Sequence, residues 1–154
     1  MSDRSKMAKQ HHLFVYGTLK RGQCREQCWP LPAISVVAAW TFGEVYDLGP
    51  YPAMIAGSSR IAGQLWTYSE SHIDAVRKAL DGIEVANQPG IPNEYDRVEV
   101  KANLLDGSKL LAETYLFSRP AELTKSGRLV PSSLKIGQAD YVIWPVSSEW
   151  LKAI

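Results

Sequence analysis

SHIDAVRKALDGIE (residues 71–84) and YDRVEVKANLLDGSKLLAETYLF (residues 95–117) decide the fold between them. The first stretch places Ile73, Val76, Leu80 and Ile83 at helical intervals, so a single apolar stripe runs along an amphipathic helix. Ser71 followed by Asp74 resembles a capping box at its start. Asn87, Pro89, Gly90 and Pro92 cannot continue a helix, which predicts an end near Glu84. The second stretch changes to β-forming residues. Tyr95–Leu105 and Lys109–Phe117 read as two strands joined through Asp106-Gly107, a strong hairpin signal.

Upstream, the pattern is that of a β-meander. Leu13-Phe14-Val15-Tyr16 is a short buried strand that Gly17 ends. Lys20 to Pro32 reads as a loop with one helical turn. Ile34 to Leu48 is rich in β-formers, with Gly43 as a bulge or bend. Gly49-Pro50-Tyr51-Pro52 breaks the pattern. Ala53 to Ala56 and Ile61 to Tyr68 read as two more strands, with Gly57-Ser58-Ser59 as the turn between them. After Pro120 the periodicity fades, although Trp144 and Trp150 suggest packing back onto the body. The expectation is an α+β fold: an antiparallel sheet curled towards a barrel, with one principal helix across it. Residues 1–10 read as a mobile tail and 11–154 as one domain.

The chain has 154 residues, 45% hydrophobic and 21% charged, enough to bury a core without staples. A formal net charge of +1, with Lys and Arg scattered, points to a small polar ligand and away from nucleic acid or an anionic membrane. No apolar run reaches the length of a membrane span. Met1 to Gln10 lacks the apolar stretch of a secretory signal, so a cytoplasmic location is expected. Oligomeric state leaves no mark on the sequence. Cys24 and Cys28 read as two free thiols, with a disulfide or redox pair as the alternative; no further clustered ligands complete a zinc site. No phosphate loop or nucleophile elbow occurs.

Two places could carry chemistry. Glu84 lies about 40° from Leu80 on the helical wheel, at the end of the apolar stripe. A carboxylate there would be partly withdrawn from water, raising its pKa towards that of a useful base; the bland alternative is a solvated residue past the helix end. The second place is Tyr16-Gly17-Thr18-Leu19. A strand running into a glycine exposes successive backbone N–H groups that can hold a carboxylate or a developing oxyanion, although such a sequence is also an ordinary turn.

Four blocks carry a family resemblance. Leu13-Phe14-Val15-Tyr16-Gly17-Thr18-Leu19 resembles the opening signature of the γ-glutamylcyclotransferase-like, or AIG2-like, proteins. Val45 to Pro52 resembles their stretch leading to a "YP" pair, Leu80-Asp81-Gly82-Ile83-Glu84 their "LD-x-x-E" helix end, and Tyr95-Asp96-Arg97-Val98-Glu99-Val100 their "Y-x-R-x-x-V" strand. The resemblance covers residues 13 to about 117. It implies a small, mostly antiparallel β-barrel with flanking helices. It also implies Glu84 as catalytic acid/base, Tyr16, Gly17, Thr18 and Leu19 as the substrate loop, and Tyr115 near the ligand. The implied reaction needs no cofactor or metal: in a γ-glutamyl compound the α-amine attacks the γ-carbonyl, giving 5-oxoproline and a free amine. The chain departs from the family in having Val85, where a glycine commonly follows the glutamate, and in a long proline-containing loop, Ala86 to Asn93. Alternatives are a cyclotransferase or lyase for another γ-glutamyl-bearing compound, a non-catalytic binding module on the same fold, and, most remotely, a small RNA-binding barrel.

Overall fold

The computed structural model describes residues 9–146 and Trp150. Among these residues seven strands form, at Gln10–Val15 (β1), Ser35–Asp47 (β2), Pro52–Ser69 (β3), Tyr95–Leu104 (β4), Lys109–Phe117 (β5), Leu134–Ile136 (β6) and Ala139–Val142 (β7). Helices occupy Glu70–Glu84 (α1) and Pro120–Ser126 (α2), and a single 3-10 turn sits at Glu26–Cys28. The sheet order is β1-β5-β4-β2-β3-β7-β6, and β1 also pairs with β3. That last pairing closes β1, β5, β4, β2 and β3 into a five-stranded barrel. The β1–β5 pairing is parallel and the other four antiparallel, so the barrel is mixed.

The hairpin at Asp106-Gly107 forms as its sequence dictates. Gly107 has φ 94°, a conformation that glycine adopts without steric cost, and Asp106 accepts from the Ser108 backbone at 2.8 Å. Two strands expected from the sequence are one. β3 runs unbroken through Gly57-Ser58-Ser59, and the irregularity lies in its pairing with β2: Gly43 faces Ser59, whereas Glu44 faces Ile55. Residues 56–58 therefore bulge, and the expected turn is a bend in a continuous strand. A Cβ on Gly57 would come within 2.4 Å of Glu44 Cγ, so the bulged backbone lies directly on β2. The register slips beside Gly43, where the sequence places a bulge.

The end of β1 is buried on both faces: Leu13 and Val15 enter one core cluster, and Phe14, with Tyr16 just past the strand, enters a second. Helix α1 lays Ile73, Val76 and Leu80 into the first cluster, each 2% exposed or less. Burying each contributes about 1.5–3 kcal/mol. The expected capping box does not form: the N-cap is Ser69, two residues earlier than Ser71, and its side chain makes no cap hydrogen bond. Ser69 Oγ instead meets Ser71 Oγ at 3.0 Å.

The expected N-terminal tail lies outside the described residues as far as residue 8, while Gln10 already belongs to β1. His11 and His12 are strand residues, with His12 Nδ1 2.8 Å from Thr67 Oγ1. The weakly patterned C-terminal third does pack back. Trp150 donates from Nε1 to Gly63 O at 2.7 Å, and Trp144 from Nε1 to Asp47 Oδ1 at 3.3 Å. No helix among the described residues is long and apolar enough to cross a membrane.

Candidate active site

Glu84 is the last residue of α1, and the chain leaves the helix through Val85 at φ 52°, ψ 54°. That left-handed cap ends the helix within one residue, with Ala86 N–H donating to Asp81 O at 2.9 Å. A β-branched side chain in this region costs about 1–2 kcal/mol, which a glycine at the same position would not pay. Glu84 thereby faces a cavity of about 400 Å³ between the helix end and the loop that follows β1. The volume suits a small-molecule ligand.

Tyr16, Gly17, Thr18 and Leu19 form the opposite wall. No hydrogen bond among the described residues takes up the N–H of Gly17, Thr18 or Leu19, whereas their carbonyls are spent inward. Gly17 O accepts from Lys20 N–H at 3.1 Å, Thr18 O from Arg25 N–H at 2.8 Å and Leu19 O from Trp29 Nε1 at 2.9 Å. The loop is thus held by its acceptors while its donors stay unspent, the polarity that an anion requires. Gly17 is needed for a second reason. A Cβ there would lie 2.7 Å from Pro52 Cγ, so the "YP" pair packs against the glycine with no room for a side chain.

The cavity tyrosines are structural at their hydroxyls. Tyr16 Oη donates to Tyr115 O at 2.7 Å and accepts from Met54 N–H at 3.2 Å. Tyr95 Oη donates to Pro52 O at 3.0 Å. Tyr115 Oη donates to Asp81 Oδ1 at 2.6 Å, so this residue offers a ligand its ring rather than its hydroxyl. Burial holds all three phenols well above their ordinary pKa, and the nearby Glu84 charge adds to the effect.

Asp81 is the residue the sequence reading passed over. Its carboxylate takes both arms of Arg97, at 2.9 and 3.2 Å, the Tyr115 hydroxyl, and Asn87 Nδ2 at 3.2 Å. Burial pushes its pKa up, but these donors outweigh burial and keep it below the usual carboxylate value. Arg97 also reaches Glu113 Oε2 at 3.2 Å, and Arg77 donates to Glu113 Oε1 at 2.8 Å. The cluster pins the end of α1 to β4 and β5 and so fixes where Glu84 points. Its signal in the sequence was the pairing of two motif positions, Asp81 and Arg97, 16 residues apart.

Glu84 itself has a different environment. Burial raises its pKa from 4.5 to about 7, against the opposing pull of the Arg25 guanidinium. Arg25, also passed over in the sequence reading, lines the same cavity with Tyr51, its guanidinium carbon 6.0 Å from the Tyr51 ring centroid. Glu94, the other carboxylate on the wall, is paired with Arg119 at 3.0 Å. All six residues singled out from the sequence, Tyr16, Gly17, Thr18, Leu19, Glu84 and Tyr115, meet in this one cavity. Cys24 and Cys28 lie outside it, unbonded and exposed.

A closed five-stranded mixed barrel with a half-dry carboxylate at a helix end, facing unspent loop amides, is a cyclotransferase-like fold. The chain belongs to the gamma-glutamyl cyclotransferase, AIG2-like family, whose model matches residues 13–134. Among solved structures, an Arabidopsis thaliana protein determined in solution is 26% identical, with a TM-score of 0.53 over 71% of this chain and 62% of that one. This chain thus matches less than two thirds of the plant protein's length. A mouse AIG2-like protein is 21% identical, with a TM-score of 0.54 over 71% of this chain and 78% of that one. An uropathogenic Escherichia coli-specific protein is 20% identical, with a TM-score of 0.51 over 76% and 84% of the two chains. The last two likenesses concern the fold. No curated protein sequence matches the chain.

Proposed function

We propose that this protein cyclises γ-glutamyl compounds, releasing 5-oxoproline and an amine or amino acid, with Glu84 as the single acid/base. The observation that carries this reading is a carboxylate whose pKa burial raises to about 7, across a small cavity from the unspent amides of Gly17 to Leu19. A group that titrates near neutrality can both take and return a proton at working pH.

The substrate supplies its own nucleophile. Its α-amine and γ-carbonyl belong to one molecule, so closing the five-membered lactam needs mainly a folded pose and expulsion of water. Glu84 as carboxylate takes a proton from the α-ammonium, and the freed amine forms a C–N bond to the γ-carbon. The amides of Gly17 to Leu19 hold the α-carboxylate or the oxygen on which charge builds. Glu84 then returns that proton to the leaving nitrogen as the original C–N bond breaks, and the second proton shed by the attacking nitrogen ends on the released amine, which departs as an ammonium. Every proton is then accounted for, and Glu84 is again a carboxylate. Tyr16, Tyr95 and Tyr115, their hydroxyls engaged, shape the walls and take no proton.

The family match supports the reaction class. The test is 5-oxoproline release from a panel of γ-glutamyl amino acids and amines, with Glu84→Gln as the comparison. Loss of cyclisation by at least about 1000-fold in a folded variant is expected, since acid and base roles fall together. Turnover near that of the wild type in the glutamine variant removes Glu84 from the chemistry. Thermal stabilisation by a γ-glutamyl compound that is never consumed would instead identify a binding module.

A further inference from the structure

Charged side chains around the cavity are paired off almost completely. Glu94 is held by Arg119 at 3.0 Å, Asp81 by Arg97 at 2.9 Å and Glu113 by Arg77 at 2.8 Å. Arg25 and Glu84 are the exceptions, two charges lining one cavity that sense each other without forming an ion pair. Arg25 makes no ion pair and no side-chain hydrogen bond among the described residues, and the face of Tyr51 lies beside its guanidinium. The backbone beneath it is nevertheless fixed, with Arg25 N–H donating to Thr18 O at 2.8 Å and Arg25 O accepting from Cys28 N–H at 2.9 Å. A cation is thus anchored to the very loop that presents the free amides. Half-buried Arg25 stands between exposed Cys24 and Glu26 and lines the cavity.

The site therefore has two separate receptors for negative charge, the loop amides and the guanidinium, lining the same cavity as Glu84. A γ-glutamyl amino acid has two carboxylates, one on the glutamyl unit and one on the leaving residue, with the scissile amide between them. A γ-glutamyl amine whose leaving group is uncharged has only the first. We propose that Arg25 is a specificity-determining residue that binds the carboxylate of the leaving group, so that the site prefers γ-glutamyl amino acids to γ-glutamyl amines. The inference rests on the cyclotransferase reading above and sharpens it. Tyr51, by stacking on the guanidinium, restricts its orientation without neutralising it.

The test compares γ-glutamyl-alanine with γ-glutamyl-ethylamide, which differ by that one carboxylate, in the wild type and in Arg25→Gln. In the wild type the alanine compound is expected to lead in kcat/KM by about tenfold or more, as a charge-assisted hydrogen bond implies. In Arg25→Gln the two compounds converge to within about twofold, with the loss falling on the alanine compound and mainly in KM. Arg25→Lys restores part of the preference, since it returns the charge without the fork. Any influence of Arg25 on the proton affinity of Glu84 acts on both compounds and cancels in their ratio. An equal loss on both, or an unchanged ratio, overturns the proposal. Calorimetric Kd values for the same compounds on Glu84→Gln, with and without Arg25→Gln, separate the two readings. A binding preference that vanishes with Arg25, in a protein that cyclises neither compound, upholds the proposal and refutes the cyclotransferase reading. Absence of binding by either compound refutes both.

Discussion

Replacing Glu84 with glutamine should make the protein more stable, and increasingly so as pH rises. A carboxyl whose pKa goes from 4.5 in the unfolded chain to about 7 in the native fold binds its proton more tightly when folded. The folded state therefore loses stability as pH rises between these values, and above about 7 the penalty is complete. At about 1.4 kcal/mol per tenfold change in proton affinity, the ionised side chain costs the fold about 3 kcal/mol at pH 8.5 and about 1 kcal/mol at pH 5. Glutamine keeps the shape and never ionises, so Glu84→Gln minus wild type should follow that curve. Because Glu84 is only half-buried, solvent screening makes the larger figure a ceiling. Urea denaturation of both proteins at the two pH values measures the difference directly, and common changes elsewhere in the molecule cancel. A gap that stays flat with pH, or a glutamine variant less stable than the wild type at pH 8.5, would refute a desolvated Glu84.

Three further outcomes are expected. The kcat/KM for cyclisation should rise with pH to a plateau with a midpoint near 7, because Glu84 must lose its proton to act as base; a profile flat from pH 5 to 8.5 excludes that. Asp81→Asn should destabilise the protein by about 2 kcal/mol at neutral pH, since Arg97 and Tyr115 lose an ionised partner. Asp81 has a folded pKa below its unfolded 3.8, so its contribution is present above that value and lost as pH falls through the folded one; the gap in urea midpoints should close on acidification. Val85→Gly should stabilise the protein by about 0.5–1 kcal/mol, read as a raised urea midpoint: relief at φ 52° exceeds the extra freedom that glycine gives the unfolded chain. A lowered midpoint would mean that the Val85 side chain packs well enough to outweigh its backbone strain.

The barrel strands were legible where local pattern and tertiary role agree. The stripe of Ile73, Val76 and Leu80 marks α1, and Asp106-Gly107 marks a hairpin, because both signals are settled within a few residues. The division of β3 at Gly57-Ser58-Ser59 misled because small polar residues serve a turn and a bulge equally well, and only the register against Gly43 and Glu44 distinguishes them. Glu84 and the loop at Gly17 could be singled out from a stripe and a strand end. Asp81 lies in a quoted motif without a role that the motif assigns, and Arg25 lies in no motif. Their meaning lies in partners: Asp81 in the convergence of Arg97, Tyr115 and Asn87, and Arg25 in the lack of an ion pair among the described residues. The short helix α2 and the β6–β7 ribbon have too few residues for a periodicity to emerge.

The stretch after α2 has a consequence for life in a crowded solution. Beyond its short contact with β4, strand β2 would present a bare margin of amides and carbonyls. Instead Val130 N–H reaches Val45 O at 2.8 Å, Asp47 N–H reaches Arg128 O at 2.9 Å, and Leu129 bridges to Tyr46. Residues 128–130 act as a selvage sewn along that margin, which would otherwise be a template for a neighbouring molecule to add a strand. A loosened selvage would show first as self-association rather than as unfolding.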